Sequence, residues 1–393
     1  MAQQLREQDV PWNEVNTMEL RKQLIESWLT RRFTVRELAE SFGISSKTAY
    51  KWLGRFREDG DHGLADRSRA RLTQPDRVGE EVKQALLACK AGHRHWGPRK
   101  VLAALSRERP EVSWPAASTI GSIYKREGLV QSRRRRPEGA SMSAPWQEAK
   151  GENDVWSIDF KGQWRLGDGQ YCFPLTLSDS HTRYLLVCHG LPSVHGRPVR
   201  AVMERAFREY GLPLAIRSDN GVPFAASCGT LGLSELSVWW LRLGIRLQRI
   251  RPGCPQQNGR HERIHRTLKQ ETVVPVSRSM AQQQSRFEAF RQEYNQVRPH
   301  SSLGMSRPAD LYQKSPRAYP EHLPEIEYPS HFECRKVSSA GEIRWQSKAL
   351  FVSNALAGQV VGLEQREQGW KLYFGANPLA FIEDETLTLR RIH

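Results

Sequence analysis

The spacing of apolar residues changes character along this chain, and each change predicts a different kind of structure. From 17 to 57 the spacing is helical and predicts three helices. The last two run from Thr34 to Phe42 and from Ser45 to Asp59, joined through Gly43-Ile44, a short glycine-containing turn of the helix-turn-helix type. Ser45 is suited to cap the second of them. Along that helix Ala49, Trp52, Leu53 and Phe56 follow i, i+3, i+4, i+7 and are expected to face a core. This leaves Lys47, Lys51 and Arg55 outward, with Ser46 near the start, as candidate DNA contacts; the plainer reading is a solvated basic face. A second helical set is expected at about 76–90, 97–108 and 115–128, its middle helix opening at Gly97-Pro98 with proline in the first turn.

From 155 onward the runs become shorter and β-favouring. Stretches at 155–166, 170–178 and 183–189, broken by turn residues such as Gly167-Asp168-Gly169, predict three strands in a meander. A helix at about 196–210, a strand at 214–218, a helix at 233–243, a strand at 245–250 and long helices from 257 and 279 follow. Strands succeeded by alternating helices and strands imply an α/β layer with a mixed sheet. Beyond the proline-rich 316–329, short β runs with glycine turns extend from 333 to 392. The chain thus reads as multidomain α and α/β: 1–65 a helix-turn-helix domain, 66–132 a second helical domain, 133–150 a basic linker, 151–315 the mixed-sheet domain and 316–393 a β-rich domain.

Composition narrows the partner. Lysine and arginine outnumber aspartate and glutamate 59 to 43 in 393 residues, giving a formal charge of +16 and a pI near 9.8, which favours a polyanion such as nucleic acid. Arg133, Arg134, Arg135 and Arg136 stand consecutively before Pro137, either as a solvated linker or as phosphate contacts. The six cysteines contain no C-x-x-C pair and read as reduced thiols, mostly in apolar surroundings. There is no secretory apolar stretch near Met1 and no run approaching the roughly eighteen apolar residues of a membrane span. A cytoplasmic protein associated with DNA, and not with a membrane, is expected.

Three acids carry the candidate chemistry. Asp159 lies within Trp156-Ser157-Ile158-Asp159-Phe160, Asp219 closes Ile216-Arg217-Ser218-Asp219, and Glu262 follows Asn258-Gly259-Arg260-His261 on an expected helix. An ionised aspartate among tryptophan, isoleucine and phenylalanine needs a hydrogen-bonding partner, a cation or a metal. Three hard oxygen donors without paired histidine or cysteine suit magnesium or manganese. Taken singly, Asp219 before Asn220-Gly221 is a turn initiator, and Glu262 a solvated helix residue. His261 and His265 flank Glu262, but no cysteine pair is present to complete a zinc site.

With 59 residues between the aspartates and 42 between Asp219 and Glu262, in the order strand, strand end, helix, the chain resembles the catalytic core of the transposase and retroviral-integrase superfamily. The likeness is to bacterial insertion-sequence transposases with a DDE core, carried also by Arg251-Pro252-Gly253-Cys254-Pro255-Gln256-Gln257-Asn258-Gly259 and by Tyr294-Asn295-Gln296-Val297-Arg298-Pro299-His300. Two departures are visible: the second gap exceeds the commoner mid-thirties spacing, and Cys254 stands where relatives often carry histidine. The resemblance implies a ribonuclease-H-like core, a second DNA-binding module over 66–132 and a small C-terminal β-barrel. It also implies two magnesium (or manganese) ions on Asp159, Asp219 and Glu262, with Asp159 bridging both. The implied reaction nicks an element's end with water and then joins the freed 3′-hydroxyl to target DNA. Double-stranded DNA and a homodimer or larger oligomer are the implied partners. A regulator that binds DNA without catalysis, and a structure-selective nuclease that hydrolyses without joining, are the competing readings. Glu271 competes with Glu262 as third acid. At about 100° per residue, Arg266 and Lys269 fall within about 40° of Glu262, whereas Glu271 falls about 180° away. Glu262, Arg266 and Lys269 are therefore expected to form one stripe along the DNA end.

Overall fold

The computed structural model describes residues 16–67, 78–130, 149–226, 231–251 and 259–391. It divides into two compact units, Met1–Arg77 and Val78–His393.

In the first unit, α1 (Thr17–Leu29), α2 (Val35–Ser41) and α3 (Ser46–Asp59) enclose Leu24, Ile25, Leu38, Ala39, Ala49, Trp52, Leu53 and Leu64. Thr34 and Glu37 cap α2 reciprocally, and the Ser45 hydroxyl accepts the Thr48 N–H at 3.2 Å to start α3. The apolar face read from the sequence is the one that is buried, with Phe56 at its margin.

The second unit opens with α4 (Glu80–Gly92), α5 (Pro98–Glu108) and α6 (Ala117–Arg126), packed around Leu86, Trp96, Val101, Leu105, Ile120, Ile123 and Tyr124. The mixed sheet follows: β1 (Val155–Phe160), β2 (Trp164–Arg165), β3 (Tyr171–Asp179), β4 (Leu185–Leu191), then α7 (Gly196–Tyr210), β5 (Ala215–Ser218), α8 (Glu235–Arg242) and β6 (Arg246–Arg249). The expected single strand over 155–166 is two strands. Gly162 adopts a φ of 66° between them, a left-handed conformation that breaks an extended run and suits glycine. β1 pairs antiparallel with β3 and β3 with β4, whereas β5 runs parallel to β1 and β6 parallel to β5.

Helices cover both sides of this sheet. Trp156 and Ile158 of β1, with Leu175 and Leu177 of β3, point toward α7 and α8. On the other side lie α9 (Gly259–Thr272) and α10 (Met280–Gln292), whose Ile264, Leu268, Phe287 and Phe290 pack with Cys172, Leu185 and Cys188. The Tyr294–His300 string ends α10 in a π turn, and its residues do structural work. Asn295 accepts the Leu185 N–H at 2.8 Å and donates to the Leu185 carbonyl at 3.0 Å, clamping the helix end to β4. Arg298, buried, donates to Glu271 and Glu293 and lies 5.9 Å from the Trp96 ring centroid. With His93 beside Glu293 at 3.5 Å and Arg107 bonded to Asp310 at 2.7 Å, it docks the α4–α6 set onto the sheet domain.

The chain closes with β7 (Glu333–Lys336), β8 (Glu342–Trp345), β9 (Lys348–Phe351), β10 (Val360–Arg366), β11 (Gly369–Phe374), β12 (Asn377–Glu383) and β13 (Leu389–Arg391). Five of these form an antiparallel sheet in the order β13-β12-β11-β10-β7, and β8 and β9 form a hairpin. The β-rich end is as expected. Among the described residues, however, no pairing joins β13 to β7, so the sheet is not closed into the expected barrel. The cysteine reading is also amended at one place: Cys334 on β7 is exposed, whereas Cys172 and Cys188 are buried free thiols.

Candidate active site and nucleic-acid interface

Strand alternation sets the character of the site. Trp156, Ile158 and Phe160 occupy one face of β1, so Ser157 and Asp159 occupy the other. The antiparallel register pairs Ser157 with Ser178 and Asp159 with Thr176, which gives this face a polar row across two strands. Asp159 is therefore not immersed in the aromatic core that its sequence neighbours suggest. The parallel register pairs Val155 with Ala215, Trp156 with Ile216 and Ser157 with Arg217. Carried two residues further, it sets Asp159 level with Asp219 on strands about 4.8 Å apart. Asp219 follows the last residue of β5 and is half-buried. Its Oδ1 accepts the Gly221 N–H at 3.1 Å, so the turn-forming role is present as well. A β-carbon at 221 would stand 3.2 Å from Asp219 Oδ2, and glycine there lets the backbone close around the carboxylate.

The third acid lies on α9. His261, Ile264, His265, Leu268 and Thr272 form that helix's buried face, and Glu262, Arg263, Arg266 and Lys269 are exposed. Glu271 is instead tied to Arg298, away from the sheet's polar row. Burial raises the Asp159 carboxyl to about 7, helped by the negative charge of Asp219 and, more weakly, of Glu262. The Phe160 N–H and the ammonium of Lys161 act in the opposite direction. The three acids thus share one electrostatic neighbourhood, although among the described residues no three such side chains are gathered closely enough to hold an ion as they stand. Lys161, two residues beyond Asp159 and so on the same side of the strand, is a cation that sequence reasoning overlooked. Its alternation with Asp159 was the available signal.

Beneath Asp159 lie two histidines that the sequence offered only as a zinc alternative. Both Nε2 atoms meet the Thr176 hydroxyl, His261 at 2.6 Å and His265 at 2.7 Å, and His261 Nδ1 is 3.3 Å from Ser178 Oγ. Burial pushes His261 down to about 3, and burial together with His261 and Lys161 pushes His265 down to about 2. Both rings are therefore neutral at physiological pH, and the 3.7 Å approach of His265 Nδ1 to Asp159 Oδ2 is not an ion pair.

The raised carboxyl has a measurable consequence. Its ordinary value is 3.8, and the folded chain holds the proton up to about 7. In that window the folded state binds more protons than the unfolded, so this group's contribution to stability falls as pH rises. Asparagine cannot ionise. Without divalent ions, Asp159→Asn should gain on the native chain between about pH 4 and about pH 8, read as the change in their urea-midpoint difference. An unchanged difference would refute a carboxyl that resists ionisation.

On α3, Ser46, Lys47 and Lys51 are exposed as expected. Arg55 departs from expectation: it is half-buried, with its guanidinium 5.0 Å from the Trp52 ring centroid. An arginine stem covers apolar surface readily. Tyr50, 63% exposed between the two lysines, was not singled out from the sequence. Arg133, Arg134, Arg135 and Arg136 lie outside the described residues, as does 252–258 before α9.

An integrase core domain matches residues 243–308, which include Glu262; a helix-turn-helix domain matches 20–71, and a homeodomain-like domain matches 48–124. The chain is 28% identical over 246 residues to the insertion element IS407 uncharacterized 31.7 kDa protein of Burkholderia multivorans, covering 61% of this chain and 84% of that one. It is 27% identical over 286 residues to the insertion element IS476 uncharacterized 39.2 kDa protein of Xanthomonas euvesicatoria, covering 72% and 76%. Among solved structures, the HTLV-2 integrase catalytic core domain in complex with magnesium is matched at 12% identity and a TM-score of 0.33, over 42% of this chain and 99% of that one. The simian T-cell lymphotropic virus intasome in complex with PP2A regulatory subunit B56 gamma is matched at 14% and 0.35, over 78% and 98%. No helix among the described residues is long and apolar enough to cross a membrane. Helix-turn-helix domains imply DNA binding, and this chain matches such domains together with an integrase core domain, a ribonuclease-H-like fold, while its similarity over longer stretches is to proteins of bacterial insertion elements.

Proposed function

We propose that this protein is a transposase that binds the ends of its mobile element and carries out metal-dependent DNA cleavage and strand transfer. The observation that carries this reading is the parallel pairing of β1 with β5, whose register, carried two residues on, brings Asp159 level with Asp219 just past the end of β5, with the charge of Glu262 acting on the Asp159 carboxyl. The donor chemistry fits magnesium or manganese: all three are hard oxygens, and a cation would offset both the burial and the neighbouring negative charge that lift Asp159. Two bound ions would supply the positive charge that activates the attacking oxygen and steadies the leaving one. Asp159 and Asp219 would hold them from the sheet and Glu262, exposed and free of core packing, from the helix. Arg266 and Lys269 continue the exposed face of α9 and would keep the DNA end's phosphates against the acids.

The regions 1–65 and 66–132 would bind the element's ends, 133–150 would link them to the catalytic core at 151–315, and 316–393 would form the C-terminal β domain. Each element has two ends and each chain one acid trio, so at least two copies would act together on DNA. The protein would work on the bacterial nucleoid, in the cytoplasm.

The test combines the full chain, magnesium, duplexes carrying the element's ends and a target plasmid. Nicked ends and joined products are expected. Hydrolysis without joining would favour a nuclease, and end binding without either would favour a regulator. For recognition, Lys47→Ala and Lys51→Ala should each weaken binding to the cognate end by about 1–3 kcal/mol if they reach base edges. Equal loss on random DNA, with a shallower salt dependence, would assign them to phosphates, and no loss on either would remove α3 from the interface.

A further inference from the structure

The exposed face of α3 carries two residues that the folding of the first unit does not call for. At about 100° per residue, Ser46, Lys47, Tyr50 and Gly54 fall within about 100° of one another, opposite the buried Trp52. Tyr50 is 63% exposed, more than any other large apolar side chain of that unit among the described residues. Left in water, its ring forgoes the burial by which an aromatic side chain stabilises a fold. Gly54 lies in the helix interior, where glycine is less stable than alanine. Gly43 before α3 and Gly60 after it hold φ values of 62° and 60°, a backbone that favours glycine. Gly54 is right-handed, and a β-carbon there would meet no described atom within 4 Å. Neither backbone nor packing requires glycine at that position, whereas a ligand approaching the helix closely does. Charge indicates where such a ligand lies: Lys47 and Lys51 are exposed on this side, and Glu58, one turn past Gly54, is exposed and acidic. A polyanion is attracted over the first two turns and repelled beyond Gly54.

We propose that Tyr50 and Gly54 complete the reading surface of α3: the Tyr50 ring packs on the 5-methyl group of a thymine in the major groove, and Gly54 lets the DNA backbone close on the helix. The inference rests on the reading of α3 as a helix that contacts the element's end. Among the base edges of the major groove, the thymine methyl is the one that apolar contact recognises. The first residues of a reading helix lie deepest in that groove, which suits Tyr50 in the second turn. Gly54 stands about 6 Å further along the axis, where the helix passes from base edges to the sugar-phosphate wall. A side chain there would hold the wall away and lift Tyr50 off its base.

The test uses the full chain, a duplex carrying the element's end and a scrambled duplex of the same composition. Replacing thymines by uracil one at a time removes a single methyl group. At one position native binding should fall about fourfold, the value of one buried carbon, and Tyr50→Ala should bind the thymine and uracil duplexes equally. Tyr50→Ala itself should lose about fivefold or more on the end and change little on the scrambled duplex. Gly54→Ala should also lose about fivefold or more on the end, while hydrogen exchange across α3 in the free chain slows, because alanine favours the helix. Weaker binding by a steadier helix cannot come from misfolding. The proposal is overturned if no uracil position couples to Tyr50, or if Gly54→Ala exchanges more slowly yet binds as the native chain does. Faster exchange in Gly54→Ala would mean that the chain itself needs glycine there, and would overturn it as well. A native chain that binds both duplexes equally would defeat the end-recognition reading and this inference with it, whereas full discrimination retained in Tyr50→Ala would defeat this inference alone.

Discussion

Asp159→Asn is expected to abolish magnesium-dependent nicking and joining while leaving binding to the element's ends intact. The amide keeps the side chain's volume and loses only its ability to carry charge. A residue that merely supported a metal ligand would cost about 10–100-fold when removed, and a ligand held directly should cost more. The Thr176 backbone pairing and the hydrophobic face of β1 are untouched by the change, so the fold should survive. Strand-transfer assays beside end-binding titrations separate the two effects. Joining that persists within tenfold of native would remove Asp159 from the catalytic group.

Glu262→Gln and Glu271→Gln should fail in opposite ways. Glu262 is exposed on the face of α9 that also carries Arg266 and Lys269, so its loss should end strand transfer and leave the unfolding midpoint close to native. Glu271 pairs with Arg298, whose side chain is only 5% exposed. Glutamine there leaves a buried guanidinium with Glu293 as its remaining acid partner among the pairs described. The expected cost is about 1.5–3 kcal/mol of stability, the range for a hydrogen bond to a charged group, with catalysis retained below the melting transition. Urea unfolding and strand transfer measured on both variants decide the matter. An active Glu262→Gln beside an inactive, normally stable Glu271→Gln would reverse the assignment.

The elements that could be read from sequence were those whose burial repeats. Ala49, Trp52 and Leu53 announced the buried side of α3, and the run from 196 to 210 announced α7. The polar row was not legible, because Ser157, Thr176, Ser178, His261 and His265 come from three separate segments. The histidines share the helical period of Ile264 and Leu268, but nothing in the sequence shows that this face of α9 meets the polar side of β1 and β3. Arg55 illustrates a different limit: helical phase gives the direction of a side chain, and Trp52 one turn away gives its long stem a reason to bend back. Arg298 illustrates a third. Its string suggested packing and helix termination, but its link to Trp96 spans some two hundred residues and leaves no local trace. The acids were legible as a set because their neighbouring strings are distinctive. Glu262 could be preferred over Glu271 from helical phase alone, with the Arg298 pair visible only in three dimensions.

The level placement of the two aspartates also bears on how this molecule tolerates insertions and deletions. Their alignment comes from the pairing of β1 with β5 and not from the count of residues between them. The turn at 192–195, between β4 and α7, can therefore gain or lose residues without moving either acid. A single-residue indel inside β5 is different, since a one-step slip turns every side chain of a strand to the opposite face. It would send Asp219 toward α7 and α8 and strand it in the apolar layer. Lineages sharing this architecture should thus drift in the distance between the two acids while preserving odd-even parity within each strand. A search keyed to a fixed gap would then miss true relatives that one keyed to alternation around each aspartate would retain.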